Sequence, residues 1–195
     1  MFSFRKPSDE SLRRFLAAQA RLEFTYAAVG ATSDGRQIPA GYNVDHTRVQ
    51  LGSGAAVFER ACVALRRWEQ FRLGWCEAFP DDTPLRAGET VVVVASVFGS
   101  WWTNAARIVY MIDESAESIA RFGFAYGTLP GHVESGEEHF LVEWDRATDQ
   151  VWYDILAFSR PRHILSRLGY PFARALQRRF GRQSAAAMQC AAAVT

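Results

Sequence analysis

The chain has 195 residues, of which 49% are hydrophobic and 13% aromatic, enough apolar material for the core of one domain. Its 22 basic and 21 acidic residues leave a formal net charge of +1, which gives no overall attraction to nucleic acid or to acidic membranes. The three cysteines form no C-x-x-C pair, which argues against a structural zinc or redox motif, and their odd number argues against a disulfide framework.

The first half of the chain predicts two helices and one strand. Ser8 precedes a helical pattern of apolar residues at 12–20 and is a suitable N-cap. Turn-forming residues fill 30–41, and a mixed alternating segment at 42–51 predicts a strand. Apolar residues then recur at helical spacing over 57–68, which predicts a second helix.

The middle of the chain predicts an antiparallel sheet. Its segments are rich in β-branched and aromatic residues, and several alternate apolar with polar or small residues. Short turns separate them, including a hairpin turn at 147–150. The predicted strands cover 90–98, 103–112, 122–127, 140–144 and 151–156.

The end of the chain predicts one long helix. An apolar stripe runs from Ile164 to Phe180, and Pro171 is expected to kink this helix or to restart it. The Ala-rich tail lacks clear periodicity. The predicted organisation is an N-terminal helical extension at 1–25, one domain at 26–183 and a disordered tail at 184–195.

This order of elements predicts an α+β fold of the helix-grip type. An antiparallel sheet with one apolar face must bury that face, and the C-terminal helix is the obvious cover. A strongly curved sheet around a single helix often leaves a cavity between the two. The fold therefore predicts a pocket for a small molecule.

Seven segments of the sequence together form a recognisable pattern: YAAVGAT, GYNVDHTRVQLGSG, RWEQFRLGW, NAARIVY, FAYGTLPGHVESGEEHFLVEWD, VWYDILAFSRP and LGYPFARALQRRF. They resemble a bacterial and plant family called domain of unknown function nineteen-ninety, a UPF-type family. The resemblance covers about 26–182, and its most specific part is Phe124 to Glu138. It implies a START/Bet v 1-like (SRPBCC) fold, with a curved antiparallel sheet around a long C-terminal helix. Because relatives by fold include lipid carriers, hormone receptors, cyclases and hydrolases, it implies no single function.

The richest group of polar residues lies around a predicted loop between two strands. His132 and Glu134 are two residues apart, so on an extended segment they point to one side and could act as an acid–base pair. The alternatives are a solvated turn or, with Glu138 and His139, a metal site, although this spacing matches no strong metal motif. The remaining polar members of this group are Tyr126, Thr128 and Glu137.

Arg107 is a candidate clamp for a carboxylate or phosphate group if it faces the cavity. Asn104 lies just before it on the opposite parity, so a regular strand would not point both inward without a bulge. The alternative is an outward Arg107 that pairs across the sheet with Glu143 or Asp154.

Two further candidates follow from the later strands. Tyr153 belongs to a set of large aromatic residues that suit either a pocket or an ordinary core. Arg160 follows Ser159 at the end of the last strand and could reach the mouth of the pocket, whereas Ser159 could cap the following helix.

The sequence thus leaves three functions open. The first is a carrier or binding module for a hydrophobic or aromatic small molecule, and the second is a hydrolase, cyclase or isomerase that uses the His/Glu pair with the Arg clamp. The third is an interaction protein. No cofactor, bound metal or nucleic-acid partner is predicted. The charged N-terminus and the short longest apolar run, at 91–97, predict a cytoplasmic protein without a membrane-spanning segment.

Overall fold

The protein is built around a single antiparallel sheet. The computed structural model describes residues 2–33, 37–162 and 170–193, and within them eight strands form one antiparallel sheet in the order β2-β8-β7-β6-β5-β4-β3, with β1 paired to β5. The elements are β1 (Phe2–Ser3), α1 (Asp9–Gln19), β2 (Asn43–Ser53), α2 (Ala55–Arg66), a short 3-10 helix (Glu69–Phe71), β3 (Cys76–Phe79), β4 (Thr90–Val97), β5 (Ser100–Ser115), β6 (Ile119–Thr128), β7 (Glu134–Asp145), β8 (Gln150–Pro161) and α3 (Tyr170–Ala193).

The sheet curves around α3, so its inner face forms the main core. Successive side chains of a strand point to opposite faces, and the aromatic residues of β6 and β7 share the inner one. Phe124 and Phe140 are fully buried there, 5.3 Å apart between ring centroids, beneath Phe71 of the 3-10 helix. The predicted helix-grip fold is therefore confirmed.

The outer face of the sheet is partly covered by the N-terminal residues. Ser8 caps α1 by accepting a hydrogen bond from the backbone N–H of Ser11, as its position before the helix predicted. Leu12 of α1 packs against Val92 and Val94 of β4 in a separate small core. The N-terminal segment thus contacts the sheet on the side opposite α3.

The C-terminal helix ends differently from the prediction. Pro171 lies in the first turn of α3, where a missing N–H costs nothing. The predicted stripe from Ile164 to Leu168 lies outside the described residues.

The prediction of a disordered tail after residue 183 is wrong for 184–193, which continue α3. Alanine is the best helix former, and Ala185, Met188 and Ala192 recur at helical spacing and are buried in the main core. Ser184 adds a buried hydrogen bond of 3.0 Å to the Tyr153 hydroxyl. These contacts hold the last turns of α3 in the fold.

We predict that Met188→Ala lowers the free energy of unfolding by about 2–5 kcal/mol, because it leaves a cavity in the core. Urea unfolding followed by circular dichroism would measure this. Cys190→Ala is the matched control, since Cys190 is an exposed residue of the same helix. Equal stability of the two variants would contradict the packing described for the end of α3.

Candidate functional site

A pocket lies between the inner face of the sheet and the first half of α3. Its volume is about 580 Å³, which is within the range of small-molecule sites. Apolar side chains from the 3-10 helix, the strands and α3 line much of it. They include Phe71, Trp75, Val93, Ile155, Leu176 and Phe180.

Glu138 is the central polar residue of this pocket. It lies on β7 directly opposite Tyr126 of β6 and Ala157 of β8, on the inner face of the sheet. The Tyr126 hydroxyl donates a hydrogen bond of 2.7 Å to Oε2 of Glu138. Burial raises the pKa of the Glu138 carboxyl to about 7, against the opposing effect of this hydrogen bond. Near neutral pH, this carboxyl can therefore both give and accept a proton.

A second carboxyl, that of Glu134, lies four residues before Glu138 on the same face of β7 and is bound by α3. The Gln177 amide donates to both of its oxygens, at 2.8 and 2.7 Å, and to the Ser159 hydroxyl at 3.0 Å. Burial raises the pKa of Glu134, although its hydrogen bonds oppose the change. Arg174 forms a two-pronged ion pair with Asp45 of β2. These contacts fasten the start of α3 to three strands.

His132 lines the pocket but is already engaged with the backbone. Its Nδ1 accepts a hydrogen bond of 3.0 Å from the N–H of Glu134. Burial lowers the pKa of His132 to about 4, so the imidazole is neutral at neutral pH, with its remaining hydrogen on Nε2. The structure thus brings the predicted pair His132 and Glu134 to one pocket. The two residues contact each other through the backbone N–H of Glu134 and not through their two side chains.

Asn104 and Thr128 also line the pocket, and both support the loop before β7. The Asn104 side chain accepts from the N–H of Val133 at 3.3 Å. The Thr128 hydroxyl contacts both the N–H and the carbonyl of Gly136, at 3.0 and 3.1 Å. Their hydrogen bonds fix the position of β7, and hence of its carboxyls.

The prediction that Arg107 clamps an anion in the pocket is wrong. Its guanidinium donates to the carbonyls of Ala20 and Leu22, at 2.7 and 2.9 Å, and lies over the ring of Phe24. The bulge in β5 lies between Ile108 and Tyr110, after Arg107, so Asn104 and Arg107 keep opposite faces.

The outward partners proposed for Arg107 are also occupied by other residues. Glu143 is bound by Arg48 and Arg121, at 2.7 and 2.8 Å. Asp154 is bound by His46 and Arg48, at 2.8 and 3.3 Å. Arg107 therefore serves to hold the segment after α1 against the sheet.

Glu137 borders the pocket, but its carboxylate points away from it, so its predicted contact with a ligand is corrected as well. Because Glu137 directly precedes Glu138 on a strand whose side chains alternate between the two faces, its carboxylate lies on the outer face. There it accepts hydrogen bonds from the Tyr26 hydroxyl (2.7 Å), the N–H of Gly30 (2.7 Å) and both the N–H and hydroxyl of Thr32 (2.9 and 2.5 Å). Glu137 thus anchors the segment around 26–32.

Tyr153 and Arg160 are the other two predicted residues that the structure places elsewhere. Tyr153 is fully buried in the main core, with its hydroxyl against Ser184, and does not line the pocket. Arg160 is on the outer face, where its guanidinium lies over the ring of Tyr42. Neither side chain reaches the pocket.

Sequence reasoning missed the importance of Glu138. The available signal was the position of Glu138 along the strand. Glu134, Glu138 and the buried Phe140 are even numbers of residues apart on β7, so their side chains must share a face. Ser159 and Gln177 were also missed as partners of Glu134, and no local pattern identifies such contacts between distant segments.

Within the described residues, no three His, Cys, Asp or Glu side chains come together in a group that could hold a metal ion. In the same part of the chain, no helix is long and apolar enough to cross a membrane.

The curved antiparallel sheet, the C-terminal helix in its grip and the pocket between them define a helix-grip protein. Solved structures with this likeness include a hypothetical protein of Helicobacter pylori (TM-score 0.49, 13% identity, 76% of this chain and 86% of that one). Another is Ara h 8.0201, with a TM-score of 0.44 and 9% identity over 76% of this chain and 98% of that one. A third is human STARD10, with a TM-score of 0.37 and 13% identity over 92% of this chain and 80% of that one.

The chain belongs to the family described as domain of unknown function DUF1990, whose family model matches residues 25–187. It is 36% identical to a UPF0548 protein of Dictyostelium discoideum, over 92% of this chain and 90% of that protein. It is 39% identical to a UPF0548 protein of Deinococcus radiodurans, over 95% and 96% of the two chains. The family resemblance seen in the sequence is confirmed.

We predict that Glu137→Ala destabilises the protein by about 3 kcal/mol or more, because several buried donors lose their acceptor. Urea unfolding would measure the loss. Glu117→Ala, at an exposed turn, should change the free energy of unfolding by less than about 0.5 kcal/mol. If the two variants were equally stable, Glu137 would not be the anchor described here.

We also predict a pH-dependent difference in stability between the wild type and Glu138→Gln. The folded-state pKa of Glu138, about 7, is above its ordinary value of 4.5, so protonated Glu138 favours the folded state. This contribution is fully present below pH 4.5 and is lost as the pH rises through 7, by at most about 3 kcal/mol. Urea unfolding of both proteins between pH 4.5 and 8 would reveal it, and parallel curves would contradict the raised pKa.

Proposed function

We propose that the protein binds a small, partly apolar molecule in the pocket between the sheet and α3. The observation that carries the proposal is the combination of a 580 Å³ hollow, largely apolar walls and one central carboxyl, Glu138. Ligand sites in proteins are typically apolar hollows with a few polar groups that orient the ligand. The size and lining of this pocket therefore support a small molecule as the ligand.

The construction of the pocket supports this function further. A hollow of this size in a protein core loses van der Waals contacts that a packed core would have, and it keeps a carboxyl in surroundings that disfavour its charge. Both costs are offset when a ligand fills the space and pairs with Glu138. The clamp of Arg174 and Gln177 on Asp45 and Glu134 keeps α3 in place beside the hollow.

A second candidate function is catalysis of proton transfer in the same pocket. It is favoured by the pKa of Glu138, about 7, because a general acid or base is most effective near the working pH. In this proposal Glu138 takes the role that the sequence had suggested for His132 and Glu134. A ligand recovered chemically unchanged after incubation with the protein would favour binding alone.

We further propose a cytoplasmic location. Its support is the state of the cysteines, since Cys62, Cys76 and Cys190 are all free in the structure. Free thiols suit a reducing compartment.

We predict that the protein binds N-phenyl-1-naphthylamine, a neutral apolar fluorophore, with a rise in its fluorescence. Ala157→Phe should weaken this binding by about tenfold or more, equal to about 1.4 kcal/mol, because Ala157 lines the pocket beside Glu138. Ala147→Phe, in the exposed turn between β7 and β8, is the matched control and should bind as the wild type does.

Leu176→Trp would fill the same hollow from the side of α3 and should also weaken the binding. Circular dichroism would establish that each variant is folded. Unchanged affinity in both folded pocket variants, or no binding to the wild type, would contradict the proposed site.

A further inference from the structure

In the part of the chain that the structure describes, acidic rather than basic groups surround the Glu138 carboxyl. Burial is the main cause of its raised pKa, and Glu134 of the same strand and Asp45 of β2 raise it further. Among the described residues, no arginine or lysine lies within ion-pairing distance of Glu138. Within these residues, the pocket therefore holds a carboxyl without a counter-charge.

The other titratable groups that line the pocket do not supply this charge. His132 is neutral because burial lowers its pKa, and burial raises the pKa of the Cys76 thiol and of the Tyr126 hydroxyl, so both are neutral as well. On α3, Arg174 is engaged by Asp45. Two further lining residues have partners on the outer face of the sheet, His46 with Asp154 at 2.8 Å and Glu137 with Tyr26 at 2.7 Å. The remaining ones are Arg178 and Arg182, whose side chains are exposed to solvent.

One oxygen of Glu138 is available to a ligand. Oε2 accepts the Tyr126 hydroxyl, whereas Oε1 makes no hydrogen bond within the described residues, and Glu138 lines the pocket. Beside this carboxyl the ring of Tyr126 packs on Phe71 at 6.0 Å, and Phe71 packs on Phe180 at 5.1 Å, between ring centroids. A cationic head at Oε1 would thus lie next to an aromatic wall.

We propose that the ligand is an amphiphilic amine, with an alkyl or aryl body against Phe71 and Phe180 and a protonated nitrogen paired with Glu138. The inference rests on the proposed function, because it names the chemical class of molecule that the pocket takes. An ammonium group supplies the missing counter-charge and donates to Oε1, and charge-assisted hydrogen bonds of this kind are the strong ones. The aromatic faces add cation–π attraction.

The two exposed arginines are the strongest argument for the opposite class, an anionic ligand. Exposed charges act through water and salt, which weaken them, whereas Glu138 acts within the pocket. A carboxylate ligand would also place a like charge beside Glu138, Glu134 and Asp45. The amine is therefore favoured over the acid.

The test is titration calorimetry with three probes of one shape: 4-phenylbutylamine, 4-phenylbutanol and 4-phenylbutyrate. At pH 8 we expect the amine to bind at least about tenfold more tightly than the other two. Between pH 8 and pH 6 its affinity should fall about tenfold, because Glu138 takes up a proton with a pKa of about 7. The alcohol should show little change with pH.

Glu138→Gln should remove both the preference for the amine and its pH dependence, while the alcohol still binds. Arg178→Gln is the control at the exposed edge of the pocket and should retain the preference for the amine. Circular dichroism and binding of the alcohol would show that each variant is folded with its pocket intact.

Equal or tighter binding of the alcohol or the acid to the wild type would overturn the inference of an amine and leave the apolar pocket standing. A preference for the amine that persists in Glu138→Gln would overturn it too. Failure of all three probes and of N-phenyl-1-naphthylamine would instead overturn the proposed function itself.

Discussion

The alternation of side chains along β7 is the constraint on which the site depends. Successive residues of a strand point to opposite faces, so the acidic run Glu137–Glu138 must be divided between the two sides of the sheet. Glu138 enters the pocket and meets Tyr126, whereas Glu137 emerges on the outer face and binds Tyr26 and its neighbours. Two adjacent carboxyls thereby acquire different roles, one facing a potential ligand and one holding the chain in place.

The two sides of the sheet support each other through this strand. On the outer face, the Tyr26 hydroxyl approaches Gly127 so closely that a Cβ there would lie 2.0 Å from it, which requires glycine. On the inner face, α3 is held by Arg174 on Asp45 and by Gln177 on Glu134. β7 is thus held from both sides, which keeps Glu138 fixed relative to the aromatic wall of the pocket.

Much of the fold could be predicted from the sequence because its strands alternate clearly, as in Phe122, Phe124 and Tyr126. The end of α3 could not, since its buried face is made mostly of alanines, whose stripe is weak in sequence. The parity argument correctly separated Asn104 from Arg107. It was not applied to Glu138, and the contacts between Gln177 and Glu134 depend on tertiary packing that no local pattern contains.

The Glu138 carboxyl lies in a largely apolar pocket, and we expect its charge to change near neutral pH. Carbon-13 NMR of the glutamate side-chain carboxyls, with Glu138→Gln used to assign the signal, measures this change. We expect a midpoint for Glu138 near pH 7, shifted downward when an amine occupies the pocket. A midpoint close to the ordinary value of 4.5, unchanged by any ligand, would show that the pocket does not control this carboxyl.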